Sequence, residues 1–377
     1  MRQAWRDPRQ PRRPARRRPP EDSIVAEIDA FLTEVLERKG SDLHFIAGDP
    51  PRIRQYGDLL PLRPDKLAAE FVKSALYEIM PKAALDRFEA KDGADFAYTF
   101  ADRGRFRVNV MRQLNGMGAV FRVIPSKAYS LDELKTPEAV RQMCRANNGL
   151  ILVTGKTGSG KSTTLAAMID DINTRDKGHI LTIEDPIEFV HQRKGCLISQ
   201  REIGVHSPSF AAALHSALRE DPDVILVGEL RDLETMSIAV TAAEMGILVM
   251  GTLHTNGAAP TVDRIINVFP SDKQSHVRTM ISTSLRGVVS QQLLQRADKQ
   301  GRVAALEILV NTNAAANLIR QGKLDQLENV IQAGGAFGMR TMDSAIQQLL
   351  DSRQITGKEA YKKGINKTRF EAIKDQG

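Results

Sequence analysis

The chain has 377 residues, too many for one typical hydrophobic core, and this length predicts two domains. Its formal net charge of +7 lies entirely in residues 1–20, which hold eight arginines and one acid, Asp7. The rest of the chain is neutral overall, and aromatic residues make up only 5% of the whole. Both facts argue against folded domains that bind nucleic acid, because such domains rely on basic surfaces and stacked rings.

Segment 1–21 is predicted to be a disordered tail, because its first 20 residues hold five prolines and few apolar side chains. It is a solvated extension, the product of a wrongly assigned start codon, or an electrostatic anchor to an anionic membrane, a nucleic acid or an acidic partner. The composition of the tail does not choose among these three roles.

Cysteine content and hydropathy indicate a cytoplasmic protein. The two cysteines, Cys144 and Cys196, are too few for a disulfide framework or a four-cysteine zinc site, and they favour a reducing compartment. No apolar run is long enough to span a membrane, and no signal peptide follows the N-terminal arginines.

Residues 22–124 have the pattern of a mixed α+β domain. An amphipathic helix is predicted over 23–39, with Asp22 or Ser23 as its cap and Gly40 at its end. Further helices are predicted over 65–79 and 82–89. Strands are predicted over 41–46, 48–54, 94–100, 104–111 and 118–124, the last three from alternating apolar residues. The polar segment 125–137 is the predicted linker.

From 138 to 377 the chain alternates strand and helix patterns. Buried strands are predicted at 149–154, 180–183, 224–227 and 248–253. Helices are predicted between them at 208–219 and 232–245, which indicates a parallel sheet with helices on both faces. Beyond Ala314 the chain is predicted to be mostly helical, with helices at 323–331 and 341–350.

Residues 155–163 read Gly-Lys-Thr-Gly-Ser-Gly-Lys-Ser-Thr, a complete phosphate-loop motif between a predicted strand and a predicted helix. The glycines let backbone N–H groups turn toward phosphate oxygens, and the helix N-terminus adds partial positive charge. Lys161 is expected to reach the β- and γ-phosphates and Ser162 to bind Mg²⁺. A glycine-rich turn that matches by chance is the competing interpretation. The predicted ATP-binding residues are Gly155, Thr157, Gly158, Ser159, Gly160, Lys161, Ser162 and Thr163.

Carboxylates follow two further predicted strands. Glu229 follows the strand 224–227, at the position where a phosphate-loop enzyme holds Mg²⁺ or polarises the attacking water. Glu184, Asp185 and Glu188 lie within five residues of one another, and such a cluster repels itself unless Mg²⁺ or an arginine lies beside it. The predicted magnesium ligands are Ser162, Glu184, Asp185 and Glu229.

His254 follows the last predicted strand, where a histidine can contact the γ-phosphate and report its presence. A purely structural role is the competing interpretation for a lone histidine. A group of arginines lies in the strand-rich part of the N-terminal domain, and a guanidinium on the developing charge greatly helps phosphoryl transfer. These arginines are Arg105, Arg107, Arg112 and Arg122, which could equally be ordinary exposed residues of the strands.

The motifs as a set resemble one family. The runs GKTGSGKSTT, TIEDPIEFVH, DVILVGELRDLET and TLHTN, with RFRVN and FRVIPS upstream and Ser-Asp-Leu-His at 41–44, are similar to those of the secretion ATPases of type II secretion and type IV pili. The resemblance covers about residues 22–350. It implies an α/β chain with a PAS-like N-terminal domain, a RecA-like ATPase domain and a helical C-terminal segment, assembled as a homo-hexamer that uses ATP and Mg²⁺.

The resemblance also implies roles for individual residues. Glu188 is the key carboxylate of the acidic box, Glu229 that of the Walker B segment, and His254 belongs to the histidine box. The spaced arginines that approach ATP correspond to Arg107 and Arg122, with Arg112 as a weaker candidate. Which carboxylate activates water and which holds Mg²⁺ stays open.

Within this family the motifs are most similar to the retraction, or twitching-motility, branch. That implies ATP-driven pilus retraction through an inner-membrane platform protein, at the cytoplasmic face of the inner membrane, where the tail would add a peripheral contact. Pilus assembly and type II secretion ATPases usually carry an additional N-terminal domain and a four-cysteine loop, which are not expected here. An accessory retraction paralogue is harder to separate by these motifs, and a RecA-like nucleic-acid motor is the candidate from a different class of protein.

Two positions depart from the family pattern. Lys156 stands where the family usually has proline, outside the required glycines and lysine, so ATP binding is expected to survive. Segment 313–320 lacks an arginine that is common just before Asn317. The resemblance therefore does not imply that the C-terminal region couples to the pilus base in the standard way.

Overall fold

The computed structural model of the protein describes residues 26–55, 58–100, 103–125 and 128–375. The predicted tail 1–21 and the two predicted helix caps, Asp22 and Ser23, lie outside these residues. No helix within the described ranges is long and apolar enough to cross a membrane.

The N-terminal half is an antiparallel sheet with helices packed on it. Its elements are α1 (Asp29–Glu37), β1 (Asp42–Ile46), β2 (Arg52–Gln55), β3 (Asp58–Pro61), α2 (Ala69–Ile79), α3 (Lys82–Lys91), β4 (Gly93–Phe100), β5 (Gly104–Gln113) and β6 (Gly116–Ile124). The strands pair in the order β3-β2-β1-β6-β5-β4. Where α1 and α2 pack on the sheet, the rings of Phe31, Phe45 and Phe71 have centroids 5.2 to 6.3 Å apart.

The predicted elements of this half all occur, with shifted ends. The first helix begins at Asp29 and the second at Ala69, several residues later than the apolar patterns predict. β3 is absent from the sequence-based prediction because all four of its residues are exposed, so the segment shows no alternation of buried and exposed positions.

The C-terminal half is a mixed sheet between helices. Its strands are β7 (Gly149–Thr154), β8 (His179–Glu184), β9 (Leu197–Glu202), β10 (Val224–Val227), β11 (Leu248–Leu253), β12 (Leu285–Gln295) and β13 (Arg302–Val310). The helices before and between the strands are α4 (Glu138–Cys144), α5 (Lys161–Arg175), α6 (Phe210–Ala217), α7 (Leu233–Glu244), α8 (Ala258–Val268) and α9 (Gln274–Ser284). Those after them are α10 (Asn313–Gln321), α11 (Leu327–Ala333), α12 (Met342–Asp351), α13 (Gly357–Lys363) and α14 (Lys367–Phe370).

The strand order β13-β12-β7-β11-β10-β8-β9 confirms the predicted parallel sheet. The strands from β12 to β9 in this order run parallel, and β13 pairs antiparallel with β12. β7 and β10 are buried along their whole length, which agrees with their unbroken apolar sequences. β11 lies between them, so the ends of β7, β11, β10 and β8 form one continuous edge.

Three strands of this sheet escape the sequence-based prediction. β9 is only partly buried and reads Leu-Ile-Ser-Gln-Arg-Glu, so its apolar signal is weak. β12 is interrupted by Ser290, Gln291 and Gln292, and β13 contains Glu307. Polar residues inside strands weaken the apolar pattern on which such predictions depend.

Glu307 connects the C-terminal helices to the rest of this half. It is buried on β13, where its Oε1 accepts a hydrogen bond from the Ala258 amide at 2.7 Å and its Oε2 one from the Met342 amide at 3.2 Å. Burial raises the pKa of Glu307, and the two amide hydrogen bonds oppose that rise. A single carboxylate therefore holds the first residues of both α8 and α12.

The two halves have separate hydrophobic cores among the described residues. One cluster runs from Ala26 to Phe121. The first residue of the remaining clusters is Leu131, which is buried with Val140 and Ile169. We propose that the domain boundary lies between Ile124 and Ser130, so that the second part of the predicted linker 125–137 packs with the C-terminal half.

Candidate nucleotide site

Four functional segments meet at the carboxyl edge of the second sheet. The phosphate loop follows β7, the acidic segment 184–188 ends β8, Glu229 follows β10 and His254 follows β11. Neighbouring parallel strands bring their carboxyl ends to the same edge, which is where open α/β sheets bind ligands. The sequence-predicted residues of this half are therefore brought together.

The phosphate loop depends on glycines at three positions. Gly155, Gly158 and Gly160 have φ angles of 138°, 76° and 90°, which residues with a side chain rarely adopt. At Gly155 a Cβ would also lie 2.3 Å from the backbone oxygen of Gln291. The loop therefore has the compact backbone that turns N–H groups toward an anion.

Lys161 is the first residue of α5 and is buried under the loop. Its Nζ donates to the Gly155 oxygen at 3.0 Å and lies 3.4 Å from the Lys156 oxygen. Burial lowers its pKa, and the nearby charge of Glu229 opposes that effect. The next two residues, Ser162 and Thr163, face outward, exposed and half-buried respectively.

Gln291, on β12, holds the phosphate loop through two hydrogen bonds. The sequence analysis does not predict this role. Its Nε2 donates to the Ser159 backbone oxygen at 2.7 Å, and its Oε1 accepts from the Thr164 hydroxyl at 2.7 Å. The Ser159 Oγ is buried and has no hydrogen-bond partner among the described residues. An unpaired hydroxyl inside a phosphate loop fits an anionic ligand, because buried polar groups are normally paired.

Glu229 is held ionised by its neighbours. Partial burial raises its pKa, but the hydrogen bond and the charge of Arg231, with a smaller contribution from His254, outweigh burial and hold the pKa below its usual range. The Arg231 Nη2 lies 2.7 Å from its Oε2. An ionised carboxylate at this strand end can bind a cation or accept a proton from water.

His254 bridges the phosphate loop and Glu229. Its Nε2 lies 3.3 Å from the Glu229 Oε1, and its Nδ1 lies 3.5 Å from the Thr157 hydroxyl. Thr252, two residues earlier, donates its hydroxyl to the Gly228 oxygen and so joins β11 to the loop that carries Glu229. The half-exposed imidazole is thus placed where a change in the phosphate loop would reach Glu229.

The acidic segment is ordered by Glu184. This side chain is buried, and burial raises its pKa against the hydrogen bonds that it accepts. Its Oε1 accepts from the Thr182 hydroxyl at 2.7 Å, and its Oε2 accepts from the Glu188 amide at 3.1 Å. Glu184 therefore holds the segment in place, while Asp185 is exposed and Glu188 is half-buried.

The predicted magnesium ligands do not form a cage of protein side chains. Within the described ranges, no group of three or more His, Cys, Asp or Glu side chains is arranged to hold a metal ion. Mg²⁺ usually takes one or two protein ligands and completes its shell with phosphate and water. The exposed Ser162 hydroxyl and the ionised, partly exposed Glu229 fit that requirement, whereas Glu184 is buried and its pKa is raised by that burial.

Arg107 and Arg122 face each other across strands β5 and β6. Asp42, the direct partner of Arg122 on β1, accepts from its Nε at 2.8 Å. The carboxylate neighbour of Arg107 is Asp95, at the longer distance of 4.0 Å. Two guanidinium groups directly opposite one another repel, so anions beside them are favourable; Arg122 has Asp42 close by, whereas the carboxylate beside Arg107 is more distant.

The other two arginines have different surroundings. Arg112 pairs with Asp92 at 2.6 Å and stacks over the Phe88 ring at 4.6 Å. Arg105 reaches the other half of the chain, where its Nη2 donates to the Glu202 Oε2 at 2.6 Å. The ion-pair partners of Arg107, Arg112 and Arg122, in contrast, lie within the N-terminal half.

Three features define the class of protein: the parallel sheet, the glycine-rich loop with its buried lysine, and Glu229 after β10, the second strand from β7. They are those of a phosphate-loop nucleotide-binding protein with a RecA-like sheet. A family model described as type II/IV secretion system protein matches residues 19–372. The chain belongs to that family.

Individual relatives extend this result. The chain is 48% identical over 337 residues to the type IV pilus retraction ATPase PilT of Pseudomonas aeruginosa, covering 89% of this chain and 98% of the relative. It is 40% identical to the type IV pilus ATPase PilU of the same species, covering 89% of this chain and 87% of the relative. A solved structure of the pilus retraction motor PilT with bound ADP aligns with a TM-score of 0.85 and 41% identity, over 92% of this chain and 99% of that one.

Proposed function

We propose that this chain is the ATPase motor that retracts type IV pili. One observation carries the proposal: Lys161, Glu229 and His254 converge at a single sheet edge in a chain that matches a retraction ATPase along 98% of that relative's length. The identity to the retraction ATPase, 48%, exceeds the 40% identity to PilU, which favours the principal motor over the accessory paralogue.

The phosphate loop binds the triphosphate. The backbone amides of residues 155–160 and the N-terminus of α5 supply donors and partial positive charge, and Lys161 exchanges its two carbonyl contacts for phosphate oxygens. The unpaired Ser159 hydroxyl gains an acceptor in the same event. When Mg²⁺ is bound, it neutralises the phosphates, and Ser162 and Glu229 are the residues that would hold it.

Hydrolysis then depends on carboxylates at the sheet edge. Glu229 is ionised because Arg231 and His254 outweigh its partial burial. Glu188 has its backbone held by Glu184 and its side chain half-exposed beside the same edge. We assign to these two carboxylates the orientation and deprotonation of the attacking water, with His254 linking Glu229 to the loop.

Arg107 and Arg122 complete the site when the N-terminal half approaches. Their cross-strand repulsion is relieved by an anion, so ATP offers them a contact that ADP, with one phosphate fewer, offers less well. A ligand shifts a conformational equilibrium only through such a difference in contacts. ATP binding would thus favour a closed arrangement of the halves, and hydrolysis would release it.

For the assembly, we propose a homo-hexameric ring at the cytoplasmic face of the inner membrane. Closure in successive subunits would act on an inner-membrane platform protein at the base of the pilus. The arginine-rich tail would add contact with anionic lipid, and nucleic acid is not proposed as a partner because residues 21–377 carry no net charge.

Deleting the gene tests this function directly. Surface pili are counted by electron microscopy and surface motility is scored, with complementation by the intact gene and by Lys161→Ala. The proposal predicts abundant pili without motility, rescued only by the intact gene. Cells without pili would indicate an assembly ATPase, and normal motility with normal pili would indicate an accessory paralogue.

A further inference from the structure

One ion pair joins the two halves of the chain beside the candidate site. Arg105, on β5, donates through its Nη2 to the Glu202 Oε2 at 2.6 Å. The side chains of Arg105 and Glu202 are 19% and 5% exposed. Neither Arg105 nor Glu202 belongs to the hydrophobic clusters of the two halves. The contact between the halves is therefore polar and lies outside both cores.

Glu202 also holds the acidic segment. The Oε2 that accepts from Arg105 accepts from the Ile187 amide as well, at 3.2 Å. Glu202 lies directly opposite Glu184 in the register of β9 and β8, and Glu184 accepts from the Glu188 amide. Two neighbouring buried carboxylates therefore hold two consecutive amides, those of Ile187 and Glu188.

A buried carboxylate is stabilised by a cation beside it, which offsets the cost of removing its charge from water. Arg105 is the cation paired with Glu202, and it comes from the other half of the chain. Its Nε is buried and has no partner among the described residues. The guanidinium therefore has donor capacity left over in this arrangement of the halves.

The two halves also come close to each other just after β9. Gly204, just after β9, has a φ of 79°, and a Cβ built on it would lie 3.9 Å from the Nη1 of Arg87 on α3. The turn after β9 is closed by its own backbone, with the Gly204 amide donating to the Ser207 oxygen at 2.8 Å. The N-terminal half thus lies against a compact turn that continues directly from Glu202.

We propose that Arg105 is a positioning residue for ATP hydrolysis: through Glu202 it fixes the acidic segment, and with it Glu188, according to the placement of the N-terminal half. This inference rests on the proposed ATPase function. In this role Arg105 acts through Glu202 and not on the nucleotide itself. It differs in that respect from Arg107 and Arg122, which are proposed to contact phosphate.

Loss of the arginine has a definite consequence. A buried carboxylate left without its cation is strongly disfavoured, so Glu202 in an Arg105→Ala variant turns toward water. The hydrogen bond to the Ile187 amide then weakens, and Glu188 is displaced. Displacements of about 1 Å at a catalytic group can reduce turnover by up to about a hundredfold.

Glutamine at position 202 separates the two roles of this side chain. Glu202→Gln keeps an oxygen for the Ile187 amide and removes the charge that needs Arg105. The double variant Arg105→Ala/Glu202→Gln therefore contains no unpaired buried charge at this junction. It should be more active than Arg105→Ala alone, although it carries one more substitution.

The experiment uses the full-length protein and measures ATP turnover, melting temperature and hydrogen exchange of peptides covering 185–190. The variants are Arg105→Ala, Arg105→Lys, Glu202→Gln and the double variant. Arg52→Ala is the matched control, since Arg52 lies on β2 of the same sheet and pairs with Asp49 in the preceding turn, within the N-terminal half.

The expected result for Arg105→Ala is a kcat about tenfold lower, a KM for ATP changed less than about threefold, and faster exchange at 185–190. The double variant regains at least about a third of the wild-type kcat and of the protection from exchange, and Arg52→Ala matches wild type. If Arg105→Ala does not fold, the same test is made with Arg105→Lys and the double variant Arg105→Lys/Glu202→Gln.

The inference is overturned if Arg105→Ala behaves like Arg52→Ala, or if Glu202→Gln adds to its defect instead of relieving it. An unchanged exchange rate at 185–190 has the same meaning. If wild type and Arg52→Ala hydrolyse no ATP, the proposed function fails, and the exchange comparison still decides the role of Arg105 because it needs no turnover.

Discussion

The two halves of this chain prepare their functional residues in opposite ways. In the C-terminal half, Lys161 and Glu184 are buried and hydrogen-bonded at the carboxyl edge of one sheet. In the N-terminal half, Arg107 and Arg122 stand on an open sheet face, 43% and 67% exposed. The first site is built into a sheet edge, whereas the second, in the proposed mechanism, forms only when the halves approach.

This difference predicts where substitutions act. Changes at the rigid edge should remove binding or chemistry outright, whatever the arrangement of the halves. Changes on the open face should spare nucleotide binding and slow the step that needs closure.

Lys161→Ala should abolish ATP turnover, with a loss of at least about a thousandfold, because the loop loses the buried cation that we propose contacts the phosphates. A steady-state phosphate-release assay measures the loss. Lys177→Ala is the matched control, since Lys177 is exposed at the opposite end of β8. Residual activity above about a tenth of wild type would contradict the assignment of the phosphate loop.

Glu229→Gln should lower kcat by about a hundredfold or more while nucleotide still binds, because the amide can neither take a proton nor carry charge. Turnover and the binding of a fluorescent ATP analogue are measured together. Glu234→Gln, an exposed glutamate in the first turn of α7, should behave as wild type. Equal losses in the two variants would remove the distinction between edge and surface.

Arg107→Ala should lower kcat by about tenfold to a hundredfold with little change in ATP affinity, because its charge contributes mainly in the closed arrangement. Turnover and ATP affinity are measured as for Glu229→Gln. Arg112→Ala is the informative comparison, since Asp92 and the Phe88 ring hold Arg112 in place, and its loss should be under about threefold. If Arg112→Ala proves the more damaging variant, the roles of these two arginines must be exchanged.

Gln291→Leu should weaken nucleotide binding several-fold and lower stability by about 1–3 kcal/mol, because the Ser159 oxygen and the Thr164 hydroxyl lose their partner. Thermal unfolding and nucleotide titration measure the two effects. Gln292→Leu, one residue further along β12 and only partly buried, should change both far less. A wild-type melting temperature for Gln291→Leu would show that the loop needs no support from β12.

The sequence predicts the residues of the rigid edge better than it predicts their supports. The phosphate loop, Glu229 and His254 each lie in a short segment whose own pattern indicates strand, turn and polar end. The supporting contacts join residues far apart in the chain: Thr164 and Gln291 are 127 residues apart, Arg105 and Glu202 are 97 apart, and Asp42 and Arg122 are 80 apart.

Pairing over such distances depends on strand order, which no local pattern encodes. Asp42 shows the limit well. The motif Ser-Asp-Leu-His contributes to the family resemblance, but only the register of β1 against β6 shows that its aspartate holds Arg122. Candidate ligand-binding residues can thus be proposed from local sequence, whereas the residues that position them require the fold.

The two hydrogen bonds of Glu307 determine where this protein can be shortened in protein engineering. A chain truncated before Met342 would lose the amide that donates to the Glu307 Oε2, and a buried acid would remain with only the Ala258 amide. The defect would then arise at the start of α8, four residues after His254, far from the cut in sequence. Shortened versions of this protein should therefore end beyond α14 if their nucleotide chemistry is to be compared with that of the whole chain.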